Sequence, residues 1–256
     1  MRRPSLDASR LADLAPEWRF EILPETPSTN AVCAERARAG EPEGLVITTE
    51  HQYAGRGRLD RAWEMPPRAA LATSVLLRPE LPPARWPWLP LMTGVAVART
   101  VDGRVKWPND VLIGADLKKV CGILVERVDT PDGPTAVIGM GINTSLTPEE
   151  LPVPTATSLN LERGTDVDRT ALLAELLGNL AAAYTLLVED PQLLVEQYVG
   201  LSATIGRDVR AELPGGSALV GTATGIDEHG RLLLADEAGQ VSAVGAGDII
   251  HLRPVR

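Results

Sequence analysis

The sequence predicts an α+β fold, a domain of strands and helices followed by a compact all-β tail. Three observations carry this reading. Short apolar segments separated by turn residues fill 104–142. One apolar stripe at helical spacing runs from Leu172 through Leu173, Leu176, Leu177, Leu180 and Tyr184 to Leu187. After about Leu201 come brief strand-like segments punctuated by Pro214-Gly215-Gly216, Glu228-His229-Gly230 and Glu237-Ala238-Gly239. About four or five such strands make a small barrel.

Taken in order, 1–20 is polar and has room for one helical turn at 9–14. A helix-turn-helix DNA reader needs several helices. Pro27-Ser28-Thr29-Asn30 reads as an extended entry into a cap, with a helix over 31–39 that stops at Gly40. A strand is expected at 45–49. Gly55, Gly57, Pro66, Pro67 and many charges make 50–68 a long functional loop. A strand at 71–77 and a buried helix of small residues at 89–101 follow. Strands are then expected at 104–107, 111–113, 120–128 and 136–142, and the clearest helix at 169–188. Asp190-Pro191 starts another helix, with Asp as cap and Pro in the first turn. The tail strands fall at 208–213, 218–226, 231–236 and 240–244.

Composition narrows the function. The 256 residues are 44% apolar and 23% charged, enough for a sizeable core. With one Phe and three Tyr, that core is mostly Leu, Val and Ala. A net charge of −9 argues against a broad nucleic-acid face. Cys33 and Cys121 form neither a metal-ligand spacing nor a disulfide framework, so no metal site is expected and a reducing cytoplasm is. No apolar signal segment follows Met1-Arg2-Arg3, and no apolar run approaches the ~20 residues that span a bilayer.

Four segments carry chemistry. In Gly55-Arg56-Gly57-Arg58-Leu59-Asp60-Arg61-Ala62-Trp63, glycines let the backbone bend around a bound group while guanidinium forks face it. That pattern suits a carboxylate or phosphate. Lys106-Trp107-Pro108-Asn109-Asp110 combines an extended residue before proline with turn chemistry; by itself it favours a plain hairpin carrying a surface lysine. Lys118-Lys119 opens the apolar strand Val120-Cys121-Gly122-Ile123-Leu124-Val125-Glu126. A lysine at a cleft mouth neutralises a carboxylate and a phosphate as they react, although an edge lysine has the same pattern. Gly139-Met140-Gly141-Ile142-Asn143 ends a strand with glycines that permit close approach. It lacks the third glycine of a dinucleotide fingerprint.

In this order, together with Ser28-Thr29-Asn30 and Gln52, the segments resemble the biotin–protein ligase family, in particular its monofunctional members without an N-terminal DNA-binding domain. The resemblance runs from about residue 20 to the end. It implies a mixed β-sheet flanked by helices, related to class II aminoacyl-tRNA synthetases, and a C-terminal SH3-like β-barrel. The implied division is a short segment 1–20, a catalytic domain 21–200 and a barrel 201–256. The implied reaction makes biotinyl-adenylate from biotin and ATP with Mg²⁺, then transfers biotin to a lysine of a biotin carboxyl carrier domain. By similarity Ser28, Thr29, Asn30 and Gln52 line the biotin pocket, where hydroxyls and amides suit a ring that both donates and accepts. Thr29 or Asn30 would equally serve as the cap of the next helix.

Further by similarity, Arg56, Gly57 and Arg58 close over biotin and the adenylate, and Arg61 and Trp63 meet the nucleotide side. Lys119 lies between the two reacting anions as the central catalytic cation, assisted by Arg56 and Arg58. Asn109, Asp110 and Asn143 serve the adenosine and metal side. Two loops depart from the family pattern: the turn tipped by Gly114-Ala115-Asp116 is longer, and the link before Lys106 shorter. A cytoplasmic monomer or weak homodimer is expected, with no nucleic-acid or membrane partner. The alternative is a lipoate or octanoate ligase or transferase of the same superfamily. It would give Cys121 a role that a buried small hydrophobe does not have.

Overall fold

In the computed structural model, residues 3–63, 65–213, 215–245 and 247–251 are described. Met1-Arg2, Pro214 of the expected turn and 252–256 of the expected barrel lie outside them. In chain order the elements are α1 (Ala8–Leu14), β1 (Arg19–Leu23), α2 (Thr29–Arg38), β2 (Leu45–Thr49), the short β3 (Gly55–Arg56) and β4 (Ala62–Trp63), and β5 (Ala70–Leu77). Then follow α3 (Trp88–Val101), β6 (Arg104–Lys106), β7 (Asp110–Ile113), β8 (Lys118–Thr130), β9 (Gly133–Asn143), α4 (Leu159–Arg163), α5 (Arg169–Glu189) and α6 (Pro191–Leu201). The tail holds β10 (Asp208–Glu212), β11 (Ala218–Ile226), β12 (Leu232–Ala235), β13 (Val241–Val244) and β14 (Asp248–His251).

The large sheet has seven strands in the order β1-β2-β5-β9-β8-β7-β6. Only β1 and β2 pair in parallel. Its middle strands are covered on both faces, which is why β2 and β5 read as near-continuous buried runs. One face packs against α3, α5 and α6 through residues such as Val95, Ile123, Ile138, Leu173 and Leu180. By length and composition alone, α5 is long and apolar enough to cross a membrane. Its leucine stripe is instead buried against that core.

The opposite face is capped only in part, by α2 through Cys33 and Ala37 on Ile47, Leu76 and Val137. Beyond α2 the cross-strand pairs are small. Asp110 faces Gly122, Gly122 faces Gly141, and Gly141 faces Ala72; one step along, Leu124 faces Gly139, which faces Ser74. The sheet surface here is almost bare backbone, a trough into which other groups can settle.

The tail forms a five-stranded antiparallel sheet in the order β13-β12-β11-β10-β14, in agreement with the expected all-β module. Indole donors from α3 and the β6–β7 turn reach it: Trp107 Nε1 to the Gly230 carbonyl at 3.1 Å and Trp88 Nε1 to that of Glu228 at 3.0 Å. Several elements were not foreseen: β1 is an edge strand of mixed polarity, α4 is a single short turn, the expected loop 50–68 contains the β3–β4 hairpin, and β14 lies beyond the last expected tail strand.

Candidate active site

At the α2 end of the trough, polar side chains interlock. Ser28 is extended and caps α2, its Oγ accepting from Ala31 N at 3.4 Å. The cap is therefore Ser28 and not Thr29 or Asn30, whose side chains turn into the sheet. Thr29 N donates to Gln52 Oε1 at 2.8 Å, with Thr29 Oγ1 3.3 Å from the same oxygen. Ser74 Oγ lies 2.8 Å from Thr29 Oγ1 and 2.6 Å from Asn30 Oδ1. Asn30 Nδ2 donates to Glu126 Oε2 at 2.6 Å and to the Leu124 carbonyl at 3.3 Å. Thr29, Asn30, Gln52 and Ser74 are all buried. The sequence pointed to three of them; Ser74 and Glu126 were missed. The polar Thr73-Ser74 pair inside the fully buried β5 was the available signal.

The arginine segment crosses above as a hairpin. Gly55 pairs with Trp63 and Arg56 with Ala62, and Gly57 N donates to the Arg61 carbonyl at 2.7 Å. Leu59 adopts a left-handed φ of 56° at the tip. Arg58 donates to Asn109 Oδ1 at 3.3 Å and to the Gly247 carbonyl at 3.4 Å. Arg61 pairs with Asp248 on β14. The Arg56 side chain is exposed and makes no ion pair or hydrogen bond among the described residues. A cavity of about 310 Å³ opens beneath, lined by Arg56, Gly57, Arg58, Leu59, Leu124 and Glu126. Trp63 lies on the bare backbone of Gly141, where a Cβ would strike its ring, and a Cβ at Gly139 would strike the Asn30 amide. The glycines thus admit close approach, by the side chains of Trp63 and Asn30.

The third group centres on Lys119. Strand β8 starts irregularly: Val111 pairs with Cys121, but the next residue, Leu112, pairs with Lys119. Val120 and Cys121 therefore both face the core, and this bulge swings Lys119 onto the trough face. Its ammonium lies 3.4 Å from the position a Gly122 Cβ would take, and 2.5 Å from Asp110 Oδ1. Its backbone is fixed from both sides, N to the Thr155 carbonyl at 2.8 Å and carbonyl from Thr157 N at 2.9 Å. Asn109 Nδ2 donates to the Ile123 carbonyl at 2.8 Å, and Asn143 Nδ2 to the Thr157 carbonyl at 2.9 Å.

Lys106 pairs across the β6–β7 hairpin with Asp110. It is half-buried, not the surface lysine that the turn alone favoured. Burial holds its ammonium below the usual lysine range against the opposing pull of Asp110. Cys121 is 1% exposed and its thiol is pushed up to about 12 by burial, which opposes a nucleophilic role.

Arg58 thus contacts Asn109, and Asn109's chain neighbour Asp110 contacts Lys119, while Thr29, Asn30 and Gln52 form a second cluster on the same sheet face. Ser28 serves as a cap, Arg61 turns to the tail sheet, and Asn143 is tied to Thr157. No group of three or more His, Cys, Asp or Glu side chains suited to a metal ion occurs among the described residues. Chemically, the Arg58 and Lys119 contacts offer fixed cations beside acceptors, the arrangement for bringing two anions together.

Comparison with known proteins bears on this arrangement. A model described as the Biotin/lipoate A/B protein ligase family matches residues 22–143, and one described as Biotin protein ligase C terminal domain matches 204–252. The chain is 40% identical to the biotin–[acetyl-CoA-carboxylase] ligase of Mycobacterium tuberculosis, over 98% of this chain and 97% of that protein. It is 34% identical to the bifunctional ligase/repressor BirA of Bacillus subtilis, over 87% of this chain and 70% of that protein. The fold is similar to biotin protein ligase from Aquifex aeolicus in complex with biotin and ATP, with a TM-score of 0.78 and 26% identity, over 92% of this chain and 99% of that one.

Proposed function

The chain belongs to the biotin protein ligases of the biotin/lipoate A/B protein ligase family, and from that premise we infer that it joins biotin to a carrier protein at the expense of ATP. A carboxylate oxygen of biotin attacks the α-phosphate of ATP, which enters as its Mg²⁺ complex; pyrophosphate leaves and biotinyl-adenylate forms. The ε-amine of a carrier lysine then attacks the acyl carbonyl, loses a proton, and AMP leaves. The acceptor is a carrier protein of a carboxylase, and the named relatives favour biotin over lipoate.

The observation that carries the assignment is the pair of contacts Arg58–Asn109 and Asp110–Lys119, made by adjacent residues where the β6–β7 turn enters β7, which brings the arginine hairpin, that turn and the start of β8 to one cleft. Like-charge repulsion is the main obstacle when a carboxylate approaches a phosphate, so positioned cations outweigh a general base. Lys119 takes the central position, with Arg56 and Arg58 supplying guanidinium donors to the carboxylate and α-phosphate. Ser28, Thr29, Asn30, Gln52 and Gly57 receive the ureido end. Arg61, Trp63, Asn109, Asp110 and Asn143 serve the nucleotide side. The division into 1–20, a catalytic unit 21–200 and a barrel unit 201–256 belongs to the same proposal. So do a cytoplasmic location, a monomer or weak homodimer, and partners that include neither nucleic acid nor membrane.

The test is direct. With Mg²⁺-ATP, biotin and not lipoate should drive ATP–pyrophosphate exchange, and a carboxyl carrier domain should gain the biotinyl mass. Lys119→Ala should retain its circular dichroism but lose adenylate formation; full exchange in that variant would refute the role given to Lys119.

A further inference from the structure

The polar cluster beside α2 is a chain of hydrogen bonds with a direction, and one exposed carboxylate stands at its outer end. The Thr29 backbone N–H, which can only donate, fixes Gln52 with Oε1 inward, leaving Nε2 turned toward Gly55. At the other end Asn30 meets two acceptors, Glu126 Oε2 at 2.6 Å and the Leu124 carbonyl at 3.3 Å. A carboxylate offers acceptors only, so Asn30 must present its NH₂ outward and Oδ1 inward. Ser74 then has to spend its single hydrogen on Asn30 Oδ1, at 2.6 Å. Its contact with Thr29 Oγ1 at 2.8 Å must be made by the Thr29 hydrogen instead, unless that hydrogen goes to Gln52 Oε1 at 3.3 Å. Either way Thr29 Oγ1 keeps acceptor capacity and Gln52 Nε2 remains a donor. Gly139 packs under the Asn30 amide so closely that a Cβ would collide with it, which holds the amide plane in place.

We infer that Glu126 is a positioning residue that, beside the Leu124 carbonyl, holds the Asn30 amide with its NH₂ outward and so commits the Ser74 hydrogen to Asn30 Oδ1, while the Thr29 backbone N–H independently fixes Gln52; this end of the cleft then receives a ring offering both a carbonyl and an N–H. The inference rests on the proposed biotin-ligase reading and deepens it, since the ring in question is the cyclic urea. Glu126 lines the same cavity as Arg56 and Arg58, so its action through Asn30 must be separated from an effect of its charge on those arginines. The two substitutions Glu126→Ala and Glu126→Gln do this. Alanine removes the acceptor and the charge; glutamine removes the charge but keeps an oxygen that can accept from Asn30.

Biotin-dependent ATP–pyrophosphate exchange gives the readout. Glu126→Ala should raise the KM for biotin about tenfold, as expected for loss of a charge-assisted hydrogen bond, with kcat and the KM for ATP unchanged. Glu126→Gln should restore most of the biotin KM. Asn30→Asp, which sets a carboxylate against both Glu126 and the Leu124 carbonyl, should be worse than Glu126→Ala, and combining it with Glu126→Gln should recover only part of the loss, because the Leu124 carbonyl still lacks its donor. If Glu126→Gln behaves like Glu126→Ala, or if either variant alters kcat or the ATP KM in place of the biotin KM, the inference is overturned. Glu126 is exposed, so its variants should fold, and they decide the matter even if Asn30→Asp does not. Absence of biotin-dependent exchange in the unmodified protein would instead overturn the proposed function itself.

Discussion

Lys119 reaches the trough only because Val120 and Cys121 both turn into the core, a breach of strand alternation that one extra residue on β8 produces. A Cβ at Gly122 would lie in ordinary contact with the lysine ammonium, 3.4 Å away, so the further methyls of a valine would press on it. We therefore expect Gly122→Val to slow adenylate formation on the order of 10²-fold by misplacing that cation. Single-turnover assays with saturating biotin and ATP would measure it, and an unchanged rate would show that Lys119 has other room. At this scale the charged and glycine positions were legible in the sequence. Arginines between glycines pointed to an anion loop, whereas Lys119 was singled out only through the family resemblance, since an edge lysine leaves the same pattern. Ser74 and Glu126 were not legible, because a single polar residue in a strand says nothing about its neighbours until the register of β5, β8 and β9 is known. The bulge was equally invisible, since no residue type announces it.

At the scale of elements, the sites depend on how the hairpin's base is held. Glu50, just before the hairpin, accepts from Arg169 at the start of α5 at 2.5 Å and from Leu6 N at 2.7 Å. Arg169 also donates to the carbonyls of Ala70 and Pro4. Both side chains are buried or nearly so, 3% and 13% exposed. Removing one partner strands the other, so Arg169→Ala should destabilise the fold by about 3–5 kcal/mol in urea denaturation. By contrast the hairpin tip is tied by Arg61 to Asp248 with a guanidinium that is 66% exposed, a pair worth less than about 1 kcal/mol. Trypsin cleavage at Arg56, Arg58 and Arg61 should therefore slow when biotin and ATP are added; an unaltered rate would count against closure of this hairpin over ligand. The central strands and α5 were readable because their apolar runs and stripe are uninterrupted. Strand β1, Arg-Phe-Glu-Ile-Leu, was not: it is an edge strand whose stability comes from parallel pairing with β2, a contact that leaves no local mark.

Across the whole molecule, the tail sheet meets the candidate site through the residues around Trp107. Thr204 accepts from Trp107 N at 3.3 Å and shares a 3.2 Å hydrogen bond with His251. Burial first, then the charges of Lys106 and Arg207, lower the His251 pKa from 6.5 to about 4. Because the folded value lies below the unfolded one, its contribution to stability is complete above pH 6.5 and is lost as the pH falls through about 4. The melting temperature should fall over that window, and less so in His251→Gln; parallel curves would place the acid sensitivity elsewhere. One contact already described lends itself to observation. Trp63, one of five tryptophans, rests half-buried on the Gly141 backbone, at the seam between hairpin and sheet. Any shift of the hairpin must change how much water that indole meets, so the molecule carries its own optical reporter: the difference in emission between the protein and Trp63→Phe should change as substrates are titrated in.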